Sequence, residues 1–244
     1  MSVAEIYESI AADLGVSGVM RPGGLALTKI AVSRCSFPPG ARVLDVGCGS
    51  AATVEYLIEH YRFKALGVDP SPMILRRGLE RNSSLPLMSA VGEDLPFADS
   101  TWDGVFFECV LSITRDAERV LGECRRILKN RGRLVLSDLY VTNPREVNTG
   151  CNLPSDCCLA HAMTRDELLG KLNTYNFQVT SWEDHSPTLK AFVAQLIFSY
   201  GSAESFWWRA AEDNGKPANL QEIKEAIARV KPGYLFLIAQ KSTG

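Results

Sequence analysis

At 244 residues, with 46% hydrophobic and 22% charged side chains, the chain is long enough for one large domain with a sizeable core. Lys and Arg total 26 against 28 Asp and Glu, a net charge of −2 that offers no general attraction to nucleic acid or to an anionic membrane. Glu5, Glu8 and Asp13 interrupt an N-terminal stretch that a signal peptide would keep apolar, and no later apolar run reaches membrane-spanning length, so a cytoplasmic protein with no membrane partner is expected.

The elements follow in chain order. Residues 1–40 read as an N-terminal helical segment containing "VMRPGGLALTK". From 41 to 140, "ARVLDVG", "KALGVD", "LMSAVGED", "WDGVFFECV" and "GRLVLSDLYV" read as strands, nearly continuous in apolar character as buried parallel strands are. "SAATVEYLIEHY", "PMILRRGLERN" and "RDAERVLGECRRILKN" between them place apolar residues at helical spacing. Alternation of this kind predicts a doubly wound, Rossmann-like sheet with right-handed crossovers.

Beyond residue 140 the rhythm changes. Residues 141–163 form a long connection containing "NTGCNLPSDCCLAHA", which gathers Cys151, Cys157, Cys158 and His161. "TRDELLGKLNTY" is a helix opened by a Thr164/Glu167 capping box, "FQVTSWEDH" a strand, and "GYLFLIAQK" a last one. Residues 187–231 between those strands read as three helical pieces, too long for a turn and suited to a cap. The fold expected is a seven-stranded α/β sheet, mostly parallel, with an antiparallel last strand and the helical cap inserted before it. All of it forms one domain, 1–244.

The segment "RVLDVGCGSAATVEYL" sets the chemistry. A strand ending at Asp45 turns through Gly47, Cys48 and Gly49 into a helix, so backbone can approach a ligand with no Cβ between them. Such a loop after the first strand lies at the switch point of a doubly wound sheet. An acid just before the glycines repels a pyrophosphate but suits an ammonium group. Asp69, ending the second strand in "GVDPS", is placed to accept from two ribose hydroxyls. Together they describe a ligand with a cationic amino-acid end and a ribose, as in S-adenosylmethionine.

"VLDVGCGSA", "ALGVDPSPMI", "VGEDLPFADSTWDGVFFECVL" and "ILKNRGRLVLSDL" occur in that order. In this the sequence resembles the class I S-adenosylmethionine-dependent methyltransferases, and within them the subgroup of quinone-biosynthesis C-methyltransferases and arsenite methyltransferases. The resemblance, over about residues 40–140, implies that Asp45, Gly47 and Gly49 hold the methionine end, with Cys48 contributing backbone. It implies Asp69 at the ribose, Pro70, Ser71 and Met73 around the adenosine, and Glu93, Asp94 and Leu95 at the adenine. Glu108 and Cys109 would lie beneath the sulfonium. Arg21, Gly23, Gly24 and Thr28 are expected to close over the cofactor carboxylate, the competing reading being a turn into a helix.

Methyl transfer from a sulfonium needs no universal catalytic residue; His161 and His185 are the candidate bases if the acceptor must lose a proton. Trp182, Trp207 and Trp208, with Phe192, Phe198, Tyr200 and Phe206, supply an apolar pocket for a small-molecule acceptor, or else the core of the cap. Neither "DPPY" nor "NPPY" follows the fourth strand, as amino-directed DNA methylation would require. Cys151, Cys157 and Cys158 are read as loop packing first, pocket lining second and ligands for a soft, arsenite-like substrate third; C-x5-C-C-x2-H lacks the paired spacing of a zinc site, and no metal is expected. A non-catalytic S-adenosylmethionine-binding protein is the rival from another class. Asp69 is expected to serve the ligand and to contribute little to stability, as an exposed strand-end acid.

Overall fold

The computed structural model describes residues 21–114, 116–142, 161–200 and 228–243, with Val19, Leu159 and Glu225 besides. Helix α1 (Gly24–Cys35) leads into β1 (Arg42–Val46), α2 (Ala52–Tyr61), β2 (Lys64–Asp69), α3 (Pro72–Arg81), β3 (Leu87–Ser89) and β4 (Trp102–Glu108). A single 3-10 turn (Leu111–Ile113) precedes α4 (Ala117–Ile127) and β5 (Leu128–Val141), followed by α5 (Arg165–Thr174), β6 (Phe177–Asp184), α6 (Ser186–Tyr200) and β7 (Pro232–Lys241).

Local chemistry starts these helices where the sequence does. The Ser71 hydroxyl accepts from Ile74 N–H with Pro72 in the first turn, Asp116 accepts from Arg119 N–H, and Thr164 and Glu167 form the expected reciprocal capping box.

The seven strands pair in the order β3-β2-β1-β4-β5-β7-β6. Strands β1 to β5 pair in parallel, and β7 runs antiparallel to both β5 and β6. Chain direction along the sheet reverses between β1 and β4, so their carboxyl ends border the crevice where such sheets bind ligands. The antiparallel last strand is as expected, wedged between β5 and β6.

Two boundaries differ from expectation. "LMSAVGED" yields only Leu87–Ser89 before Val91 and Asp94 pair across a tight turn. Strand β5 begins at Leu128, not Gly132, because Leu128 pairs with Trp102 ahead of a register break in which Arg131 takes φ 61°. Of the expected cap, α6 is described; residues 201–224, with Phe206, Trp207 and Trp208, lie outside the described residues. Among the described residues no helix is long and apolar enough to cross a membrane.

Each face of the sheet is covered. One buries Leu44, Val105, Phe107 and Leu134 beneath Leu121 of α4 and Leu172 of α5. The other buries Val43, Phe106, Val135 and Phe236 beneath Ala31 of α1 and Leu57 of α2. Burying a leucine or phenylalanine completely stabilises the fold by about 1.5–3 kcal/mol. Leu121 is 1% exposed on α4, so Leu121→Ala should lower unfolding free energy by ~2–5 kcal/mol in urea titration, leaving the denaturant slope unchanged.

Candidate cofactor site at the carboxyl edge of the sheet

Strand β1 delivers Asp45 and then turns. Gly47 takes φ 71° and Gly49 φ 54°, a region costly to residues with a side chain. Gly47 and Cys48 donate their N–H groups to the Val68 carbonyl of β2 at 2.8 and 3.0 Å, which fixes the loop to the neighbouring strand. A Cβ on Gly47 would lie 2.4 Å from Cγ2 of Val110. The first obstacle to a side chain at Gly47 is therefore the turn after β4.

Asp69 corrects one expectation. It is 8% exposed, and its carboxylate accepts from Gly49 N–H and Ser71 N–H, both at 2.9 Å. The acid joins the glycine loop to the start of α3 and so is structural. Pro70 and Ser71 follow beside it, Ser71 1% exposed, whereas Met73 is 50% exposed on the outer side of α3.

Just after β3, Ala90 N–H donates to the Asp69 carbonyl at 3.3 Å, bringing the 90–97 loop to the same edge. Within that loop Glu93 is half-buried and Asp94 exposed. The Leu95 side chain lies in the core, and its backbone bonds outward: its N–H donates to Glu123 at 2.8 Å and its carbonyl accepts from Arg126 at 2.9 Å.

Asp45 is 3% exposed, and among the described residues no hydrogen bond reaches its carboxylate. Its carboxyl is pushed well above the usual carboxylate range, by burial first and then by Glu108, against the pull of Arg21. A buried acid in this state gains from a cationic ligand, which returns the charge to it.

Glu108 is committed elsewhere. Its carboxylate pairs with Arg21 at 2.8 Å and accepts from the Thr28 and Thr53 hydroxyls at 2.8 and 2.7 Å. Arg21 Nη2 also donates to Thr28 and Thr53, both at 2.9 Å, and more distantly to the Gly24 carbonyl at 3.4 Å. Burial opposes the guanidinium charge, but Glu108 and Asp45 hold its pKa raised. Arg21, Thr28 and Glu108 thus form a buried knot tying α1 and α2 to the end of β4, and Arg21 Nε is left buried with no hydrogen-bond partner among the described residues. Gly23 belongs to the turn into α1, where an added Cβ would meet Leu27 at 2.8 Å.

Cys109 follows at φ 62°, its sulfur 3.1 Å from the Tyr234 hydroxyl, which donates on to Ser137 at 3.2 Å. Burial pushes the Cys109 thiol up to about 12 and raises Cys48 as well. Neither is a ready thiolate. Cys151, Cys157 and Cys158 lie outside the described residues, and among the described residues no group of three or more His, Cys, Asp or Glu is arranged to hold a metal.

The two candidate bases stand toward the β5 and β6 side of the carboxyl edge. His161 is exposed, two residues before Met163, which bridges to Tyr140. His185 bonds Glu183 at 3.1 Å and packs edge-on to Phe236, and its pKa is lowered by burial and by Arg34. With β6 four strand steps from β1, at about 4.8 Å a step, His185 lies about 19 Å along the sheet from Asp45. Trp182 is half-buried against the core cluster, edge-on to Tyr140 and under the Arg165 guanidinium.

The sequence reading missed Asp138. It is 2% exposed at the end of β5 and accepts from Ser112 N–H and the Ser112 hydroxyl at 2.9 and 2.6 Å. Burial raises its pKa against those bonds. An Asp in the apolar run "RLVLSDLYV" is the signal that marks it.

The fold is thus a doubly wound sheet with a glycine loop at its switch point and an acid at or next to the end of each of β1 and β2. Residues 44–136 match the family described as Methyltransferase domain, which agrees with the resemblance drawn from the motifs. It is 33% identical over 134 residues to the uncharacterized methyltransferase YodH of Bacillus subtilis, covering 53% of this chain and 56% of that one. It is 28% identical over 151 residues to the arsenite methyltransferase of Halobacterium salinarum, covering 59% and 39%. The chain thus spans about half or less of the length of these curated relatives. Among solved structures, the phosphoethanolamine N-methyltransferase 2 of Haemonchus contortus in complex with S-adenosyl-L-methionine superposes with a TM-score of 0.72 at 16% identity, over 98% of this chain and 57% of that one, a likeness of fold.

Two outcomes follow. Because the Asp45 pKa is raised on folding, the folded chain holds that proton more tightly than the unfolded one, so stability is lost as pH rises from the ordinary carboxylate range toward the folded value. Ligand-free Asp45→Asn should therefore melt higher than the parent at neutral pH, with the gap closing toward acid. Asp69→Ala should cost ~1–3 kcal/mol in urea titration, since two backbone N–H groups lose their acceptor.

Proposed function

We propose that the chain binds S-adenosylmethionine at the carboxyl edge of β1, β2 and β4 and transfers its methyl group to a small-molecule acceptor. The observation that carries this reading is the Asp45 carboxylate, buried beside the glycine loop with no hydrogen bond from the described residues. An ammonium group there would supply the missing donors, and the Asp69 oxygens, fixed by two backbone bonds, stand one strand away for ribose hydroxyls. The residues present fit the cofactor at its amino-acid end and at its ribose.

In the same reading Gly47, Cys48 and Gly49 border the methionine end through backbone, Pro70 and Ser71 border the adenosine, and Glu93 and Asp94 face the adenine edge. Bound S-adenosylmethionine supplies a methyl group already activated on sulfur, displaced in line with a neutral thioether as the leaving group. The chain's own task is then to hold the acceptor behind that methyl group and to keep water out. The ends of β4 and β5, with Cys109, Ser137 and Asp138, form the floor of the acceptor side. A net charge of −2 favours a small acceptor over nucleic acid.

Calorimetric titration with S-adenosylmethionine tests the binding. The parent should bind, and Asp45→Asn should bind about tenfold more weakly, ~1.4 kcal/mol. Transfer of labelled methyl to the small-molecule fraction of a cell extract should then depend on the chain. Binding without transfer to any fraction would favour a non-catalytic binding protein. Transfer lost with binding intact when Cys151, Cys157 and Cys158 are replaced together by Ser would assign those thiols to the acceptor.

A further inference from the structure

Asp138 has no part in the donor site as described, yet its bonds lead there. From β5 its carboxylate grips the turn that follows β4, through Ser112 N–H on Oδ2 at 2.9 Å and the Ser112 hydroxyl on Oδ1 at 2.6 Å, with Leu139 N–H also on Oδ1 at 2.7 Å. One residue earlier in β5, the Ser137 carbonyl accepts from Cys109 N–H at 2.7 Å. Two successive residues of β5 therefore fasten the 109–113 turn. The turn needs fastening, because Cys109 at φ 62° is a non-glycine residue in the left-handed region, which persists only where its surroundings over-determine it.

The fastened turn presents Val110. Its side chain lies so close over Gly47 that a Cβ there would be 2.4 Å from Cγ2 and 2.8 Å from Cγ1. On its other side the loop is held by the Gly47 and Cys48 N–H bonds to Val68. Gly47 is thus clamped between β2 and a turn whose position is set from β5.

We infer that Asp138 is a positioning residue: acting through Ser112 and Val110, it fixes the Gly47–Gly49 loop, so that the donor loop and the acceptor-side strand β5 move as one body. The functional consequence rests on the S-adenosylmethionine reading, whereas the mechanical link exists without ligand.

The test uses Ser112→Ala, which removes the hydroxyl bond and keeps the backbone one, beside Ile238→Val, a conservative core change in β7 with a comparable small loss of stability. Hydrogen exchange at the Gly47 and Cys48 amides of the ligand-free chain should quicken about tenfold in Ser112→Ala and stay at the parent rate in Ile238→Val. Affinity for S-adenosylmethionine, measured well below the melting temperature, should fall about fivefold in the first and hold in the second. Val110→Ala should weaken binding too, and the double variant Ser112→Ala/Val110→Ala should lose less than the product of the single losses, since both changes break one path. Unchanged exchange in Ser112→Ala, or losses that multiply, would overturn the relay. If the parent fails to bind S-adenosylmethionine the cofactor reading falls, and the exchange measurement still decides the relay.

Discussion

Three carboxylates end three adjacent strands, Asp45 on β1, Asp69 on β2 and Glu108 on β4, and among the described residues Arg21 is the cation that stands against them in the interior. Like charges crowded out of water repel strongly, so the edge tolerates them only because each is handled differently. Glu108 takes the guanidinium and two threonine hydroxyls, Asp69 takes backbone N–H groups, and Asp45 stays shifted toward its neutral form. The sign of the ligand, the docking of α1 and the geometry of the glycine loop all follow from that division.

The division also separates residues that a motif treats alike. Glu108 and Asp69 both stand at strand ends and both look like ligand contacts. Yet Glu108 is saturated by its own chain, and its role is to bind α1, through Arg21 and Thr28, to the body of the domain. Helix α1 is therefore a wall of the site held by a buried ion pair, a kind of contact that is costly to half-remove because the surviving charge is left without its partner.

Much of the fold is legible in the chain because the signals are local. Apolar runs alternate with helical periodicity, Ser71, Asp116 and Thr164 cap the helices they precede, and the glycines follow the first strand. Asp45, Gly47, Gly49 and Asp69 do converge, since topology alone brings the ends of β1 and β2 together. What escaped were pairings across distance. Arg21 finds Glu108, Cys109 finds Tyr234 and Ser112 finds Asp138 across segments that no period connects. The burial of Asp69 escaped for the same reason, because it depends on Gly49 and Ser71 folding onto it from either side. His185 follows β6, whose end is level with Asp138 across β7, so it stands along the carboxyl edge but several strands away from the glycine loop.

The place of β7 has a further consequence, for how the molecule is assembled. Strand β5 has β7 as its neighbour from Arg133 opposite Gln240 to Val141 opposite Pro232, and β6 joins the sheet through β7. Until residues 232–241 arrive, β5 presents a bare apolar edge and β6 has nowhere to attach, a state open to mispairing with other chains. Pairing across so long a stretch of chain is entropically slow. Tyr234, whose hydroxyl bonds Cys109 and Ser137, comes with that strand, so the bonds at the ends of β4 and β5 are incomplete until β7 pairs.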